Sequence, residues 1–249
     1  MRVLYWNMNK RPLINTVSVI VRERDVDIII LSEFEESVTS SLLVLNKGID
    51  RKYGFESGRT EFQDPVFFSR YYGELCRSVH DERGVSVKSF KDPLGPELLI
   101  FAMHLPSKLY RTGDHQTLHC TRTRATLDDV EQREGHRRSI LVGDLNMNPF
   151  ESGVVTADGL HGIMTKDLAL KTSRDVSGEE RFFFYNPMWG LFGDLSKGPP
   201  GTYYYDSSDQ LNFYWNMFDQ VMLRPELLSY FVDEGLEVIT KADGNSMLN

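Results

Sequence analysis

Short apolar stretches of this chain end, one after another, on residues that can do chemistry. Val3, Leu4, Tyr5 and Trp6 are strand formers that hand over to Asn7 and Asn9. Asp27–Leu31 hands over to Ser32 and Glu33, Leu98–Met103 to His104, and Ser139–Val142 to Gly143, Asp144, Leu145 and Asn146. Phe218–Leu223 carries Asp219 within it. A sandwich built only for packing has no reason to collect carboxylates, amides and an imidazole at its strand ends. Taken alone, Gly143-Asp144-Leu145-Asn146 reads only as a strand followed by an Asx-type turn. The full set of strand ends is what outweighs that reading.

Between the first two stretches, Pro12 suits the first turn of a helix. Val17, Ile20 and Val21 recur at helical spacing through Arg24. Strand, helix and strand within about 30 residues have the length of a βαβ unit. Asn7 and Ser32-Glu33 would then share one edge of a parallel sheet, where open α/β sheets place ligands. These residues alone point to a doubly wound single sheet. Further on, Ser37–Leu45 has helical spacing. Short strands are expected over Val66–Ser69, Leu75–Val79, Val85–Phe90 and Leu98–Met103, with Asp-Pro and Pro-Leu-Gly-Pro turns between them. Asp114–Arg133 reads as a surface helix. Residues 159–215 read as irregular, with Gly198-Pro199-Pro200-Gly201 as a loop, and Leu236–Thr240 as one more strand.

The 249 residues hold no Ser/Gly/Pro linker, repeat or low-complexity tract, so a single domain over 1–249 is the simplest account. Hydrophobic residues at 41% and charged residues at 26% exclude general disorder. A net charge of -8 excludes a nucleic-acid binder that works by bulk positive charge, but not an enzyme that takes one phosphate through a metal ion. Two cysteines, Cys76 and Cys120, are too few for a disulfide scaffold and read as reduced thiols. The N-terminus lacks the pattern of a signal peptide, and the longest apolar run, Val26–Leu31, is too short to span a bilayer. A cytoplasmic protein with no membrane anchor is expected.

Trp6-Asn7-Met8-Asn9, Leu31-Ser32-Glu33, Ala102-Met103-His104-Leu105, Val142-Gly143-Asp144-Leu145-Asn146 and Phe218-Asp219-Gln220-Val221 follow one another in a known order. In this the chain resembles the endonuclease/exonuclease/phosphatase superfamily, the deoxyribonuclease I-like proteins. Each piece is weak; five in order, each at an expected strand end, are a strong signal. The resemblance implies an α/β (α+β) four-layer sandwich: two mixed β-sheets packed face to face, helices outside, and an active site where strand ends converge. It also implies a Mg²⁺- or Mn²⁺-dependent phosphohydrolase, a nuclease or a phosphodiesterase/phosphatase, that directs water at a phosphate ester.

Cleaving such an ester needs a nucleophilic water, neutralised charge at phosphorus and a stabilised leaving group. Glu33 is the best metal ligand, because a hard carboxylate oxygen suits Mg²⁺ or Mn²⁺. The resemblance gives Asp144 the attacking water, Asn146 an amide N–H for a phosphate oxygen, and Asn7 the metal site or the phosphate. Asn9 sits where several relatives carry Asp, which weakens a direct metal role. His104 matches a position that contacts the scissile phosphate, and a protonated imidazole can donate there. Asp219 matches an Asp that pairs with a C-terminal histidine. That histidine belongs to a closing Ser-Asp-His motif, and no histidine follows Asp219 in this sequence. The expectation is that the motif and a last strand lie beyond Asn249. Natural loss would instead give a catalytically inactive binding module of the same fold. Losing one member of such a constellation can cost ~10⁴-fold in rate, so residues 1–249 alone are expected to turn over very slowly.

Lys108 and Arg111 follow His104 closely and are further candidates for the substrate phosphate. His115, His119 and Cys120 have the spacing of a partial zinc site but lack a fourth ligand, and a plain helix face fits them better. Tyr203-Tyr204-Tyr205 and Tyr214-Trp215 could stack on bases or simply pack. Nucleic acid, nucleotide, phosphoinositide and sphingolipid head group all stay open as substrates, and the oligomeric state is not legible.

Overall fold

Strands β1 (Val3–Asn7) and β2 (Ile28–Ser32) run parallel, with Asn7 opposite Ser32, and α1 (Ile14–Glu23) connects them. This is the βαβ unit expected from the sequence. The structure, a computed structural model, describes residues 1–58, 64–107 and 113–248. α1 buries Ile14, Val17, Ile20 and Val21 on one stripe. It begins at Ile14, whose N–H donates to Glu36 Oε1 at 3.0 Å, so a side chain from further along the chain satisfies the helix start. α2 (Val38–Leu45) begins behind Ser37, whose hydroxyl accepts from Ser40 N–H. β3 (Gly54–Phe55) and β4 (Val66–Ser69) complete a mixed sheet in the order β1-β2-β4-β3, with β4 antiparallel to β2.

The chain divides into two compact units, residues 1–104 with 239–249, and residues 105–238. In the first, β5 (Cys76–Glu82), β6 (Val85–Phe90) and β7 (Leu98–His104) pair antiparallel. Alternation along β4 decides the layering. Phe68 joins Ile29, Leu31 and the apolar stripe of α1 in one core. Phe67 points the other way, with its ring 6.2 Å from that of Phe90 on β6. Helices, a mixed sheet and a second layer of strands are thus stacked within this unit.

The second unit holds α3 (Gly113–Glu134), β8 (Ser139–Asp144), α4 (Ser152–Val155), β9 (Gly162–Ile163), α5 (Lys166–Ala169), β10 (Ser173–Val176), β11 (Glu179–Phe182), β12 (Phe184–Tyr185), β13 (Tyr203–Tyr204), β14 (Trp215–Asn216) and β15 (Asp219–Leu223). β15 pairs antiparallel with both β8 and β12, and β12 pairs parallel with β9, giving another mixed sheet. α3 is more than the surface helix expected. Gln116, Cys120, Thr123, Leu127 and Val130 are all buried, a helical stripe disguised by its polar members. Glu131 on the same helix forks onto Arg224, with both N···O distances 2.9 Å and both residues buried. Arg224 also donates to Phe183 O at 3.1 Å and lies over the Phe184 ring.

Two further sequence expectations change. Residues 159–215 include the β10–β11 hairpin, whose polar strands pair without an apolar face to betray them. Leu236–Thr240 forms no strand; Ile239 packs on the core of the first unit, and pairing begins only with β16 (Lys241–Ala242) against β17 (Asn245–Ser246). Among the described residues, no helix is long and apolar enough to cross a membrane.

Candidate active site

In the first unit, β1, β2 and β7 deliver Asn7, Glu33 and His104 to one place. Asn7 is the last residue of β1, and Glu33 follows β2 with its backbone turned left-handed, φ 49°. The parallel register that sets Asn7 beside Ser32 lets the Asn7 Nδ2–H donate to Glu33 Oε1 at 3.2 Å. Asn7 Oδ1 accepts from Asn9 N–H at 2.9 Å, so Asn9 shapes the turn through its backbone. Glu33 O accepts from Lys10 N–H at 3.2 Å, and Glu33 N–H donates to Asp64 Oδ1 at 3.1 Å. His104 ends β7, with Nδ1 2.8 Å from Asp64 Oδ2 and Nε2 3.6 Å from Glu33 Oε1. An ionised carboxylate only accepts, so against Asp64 it is Nδ1 that carries the hydrogen. Glu33, Asp64 and His104 each keep part of their side chains open to solvent.

Asp64 is the residue that sequence reasoning missed, having read Asp64-Pro65 only as a turn. Its place follows from pairing: Val66 opposite Leu31 on antiparallel strands sets Asp64 beside the residue that follows β2. Nothing local announces that pairing.

In the second unit, Asp144 ends β8 directly opposite Asp219, the first residue of β15. Asp144 is buried, and its Oδ1 accepts from Asn146 N–H at 2.8 Å. Asn146 is left-handed, φ 50°, and its Nδ2–H donates to Leu105 O at 2.8 Å, while its carbonyl accepts from Gln116 Nε2 at 3.0 Å. The Phe218 and Asp219 N–H groups both donate to Thr202 Oγ1, at 3.1 and 3.0 Å. The seven candidates with described side chains, counting Asp64, thus form two groups: Asn7, Glu33, Asp64 and His104, and Asp144, Asn146 and Asp219. Lys108 and Arg111 lie outside the described residues.

No model of a protein family matches the sequence, and no curated protein does. Solved structures do. Truncated TDP2 from Caenorhabditis elegans is similar at 18% identity and TM-score 0.52, over 89% of this chain and 83% of its own. An endonuclease/exonuclease/phosphatase family protein from Bacteroides thetaiotaomicron is similar at 12% identity and TM-score 0.52, over 85% of this chain and 72% of its own. Another from Leptotrichia buccalis is similar at 12% identity and TM-score 0.50, over 89% of this chain and 87% of its own. This chain has the endonuclease/exonuclease/phosphatase fold. The mixed α/β sandwich expected from the five motifs, rather than the single doubly wound sheet, is therefore the right class.

Cys76 and Cys120 are free and buried, and burial pushes both thiols up to about 12, far from nucleophilic use. Among the described residues, no three His, Cys, Asp or Glu side chains are grouped to hold a metal. Tyr203, Tyr204 and Tyr205 are each about half exposed. Tyr203 stacks on Phe218 at 5.5 Å and on Tyr205 at 6.3 Å, and Tyr204 meets Trp215 edge-on at 5.2 Å.

Proposed function

We propose that this chain is a metal-dependent phosphoric ester hydrolase acting on a nucleotide or nucleic-acid phosphate through water attack. The observation that carries the reading is the group in which Asn7 donates to Glu33 Oε1 while His104, held by Asp64, faces the same oxygen. The donor set fits a hard divalent cation. Glu33 offers a partly exposed carboxylate, which Asn7 steadies through its Nδ2–H while its own Oδ1 accepts from Asn9 N–H, and a single carboxylate ligand suits Mg²⁺ or Mn²⁺, which keep several waters. Bound there, the cation would neutralise charge on the phosphate and on the leaving oxygen.

The remaining chemistry falls to side chains of the chain. Asp144, whose Oδ1 accepts Asn146 N–H, is the carboxylate assigned to receive the proton of the attacking water. Asn146 and His104 are the donors assigned to phosphate oxygens. Asp219, set opposite Asp144, orients what binds beside it. The half-exposed stack of Tyr203 and Tyr205 supports a substrate carrying a base, since any base offers a face to stack.

The test is a panel of single-stranded DNA, RNA, nucleotides, phosphoinositides and sphingomyelin, assayed with Mg²⁺ and with Mn²⁺. The expected result is slow turnover of a base-bearing ester, abolished by EDTA, by Glu33→Gln and by Asp144→Ala. Binding of these ligands without turnover by any member of the panel would instead mark a binding module and overturn the reading.

A further inference from the structure

A chain of buried carboxamides in the second unit joins the segment carrying Asp144 and Asn146 to the segment carrying Asp219. Asn148, Asn186 and Gln220 are no more than 2% exposed, and Asn216 is 9% exposed. Asn148 Nδ2–H donates to Asn216 Oδ1 at 2.9 Å, and Asn148 Oδ1 accepts from Met217 N–H at 2.9 Å. Gln220 Nε2–H donates to Met147 O at 2.6 Å and to Met217 O at 2.9 Å. Gln220 Oε1 accepts from Asn186 Nδ2–H at 2.7 Å, and Asn186 Oδ1 accepts from Met188 N–H at 3.1 Å. Leu145 N–H donates to Phe218 O at 2.8 Å.

Residues 145–148 are therefore tied to residues 216–220 at three successive levels, beyond the point where β8 and β15 pair. Four buried amides are a costly way to fill space, since each must find partners or lose a hydrogen bond's worth of solvation. Apolar side chains would pack the same volume. What the amides add is a fixed spacing: a satisfied polar network has one geometry, whereas packed methylenes tolerate several. The residues so fixed are the flanks of Asp144, Asn146 and Asp219.

We propose that Asn148 and Gln220 are positioning residues, which act through the backbone of 145–148 and 216–219 to set the separation of Asp144 and Asp219. The inference rests on the proposed hydrolase reading for its kinetic consequence, but not for its structural one. The hydrogen bonds of the two residues run to Asn216, Met217, Met147 and Asn186, so their part is to position rather than to react.

Gln220→Met keeps the length of the side chain and removes its hydrogen bonds; Asn148→Ala removes both the acceptor for Met217 N–H and the donor to Asn216. Leu227→Ala, in a separate apolar cluster of the same unit, serves as a control matched for loss of thermal midpoint. With turnover established, Gln220→Met is expected to lower kcat roughly 10- to 100-fold with KM within about twofold, as a small misplacement near reacting groups does. Asn148→Ala should show the same loss in kcat with KM held, and Leu227→Ala should leave kcat in place. A kcat for Gln220→Met equal to that of Leu227→Ala would overturn the proposal. A second readout needs no activity: hydrogen exchange of the Asn146 N–H, bonded to Asp144, measured in the folded proteins. It should speed up about tenfold or more in Gln220→Met over Leu227→Ala, and equal rates would also overturn the proposal. A wild-type chain that turns over nothing would sink the hydrolase reading while leaving this exchange test to decide the positioning role.

Discussion

Asp64 Oδ2 holds the Nδ1 of His104 at 2.8 Å, and the other oxygen of the same carboxylate accepts the backbone N–H of Glu33. One side chain therefore sets both the ring orientation of the histidine and the turn that presents the carboxylate facing it. Asp64→Ala removes both bonds at once. The expected outcome is a loss of about 10²-fold in kcat, the range for disturbing one general acid or base, with the fold retained by circular dichroism. A variant with unaltered kcat would separate Asp64 from the reaction.

Gly84 sits at φ 78°, and a Cβ there would lie 2.5 Å from the carbonyl oxygen of His104. The Gly84 carbonyl meanwhile accepts from His104 N–H at 2.8 Å. Gly84→Ala should cost about 1–3 kcal/mol of stability, from the left-handed backbone and the contact together. It should also shift the backbone amide resonance of His104. Urea denaturation and an amide spectrum check both.

His161 is held as a neutral ring. Its Nδ1–H donates to Phe182 O at 3.1 Å, and its Nε2 accepts from Arg174 Nε–H at 3.0 Å. Burial first, with Arg174, Arg124 and Arg224 adding to it, pushes its pKa down from 6.5 to about 4. The unfolded chain thus binds more protons than the folded one between those values. The stabilisation is complete above pH 6.5 and drains away as the pH falls toward 4. At about 1.4 kcal/mol per tenfold change in proton affinity, the full loss is roughly 3 kcal/mol. Wild type and His161→Gln, titrated with urea at a series of pH values, should converge in that window; parallel curves would exclude the linkage.

Glu131 and Arg224 are both buried and paired through two hydrogen bonds. Glu131→Gln leaves a buried guanidinium short of its counter-charge, with Asp128 Oδ1 3.6 Å away as the nearest relief. Breaking one side of such a pair costs about 3–5 kcal/mol, so the variant should melt well below wild type. Replacing Glu131 and Arg224 together by Leu and Met should recover much of the loss in calorimetry.

What the sequence disclosed was local. β1, α1 and β2 were readable because apolar spacing and turn residues sit within one stretch of chain, and Asn7, Glu33, His104, Asp144 and Asp219 stand beside strands that could be recognised. Asp64 was not, because only the antiparallel partnership of β2 and β4 brings it to Glu33. The buried stripe of α3 was hidden by Gln116 and Thr123, whose polarity outweighed their spacing. The β10–β11 hairpin escaped for the opposite reason: its strands have no apolar face, so the alternation that marks a half-buried strand is absent. Thr202 gave no signal, since a hydroxyl that accepts two backbone N–H groups looks in sequence like any loop threonine.

The edge-on contact of Tyr204 with Trp215 gives the protein an internal reporter. Light absorbed by the tyrosine passes to an indole 5.2 Å away, so the emission of Trp215 follows whether β13 stays paired with β14. Opening of that pair would dim or shift the signal, so its order can be followed optically in a chain in which Trp6 and Trp189 are replaced by Phe.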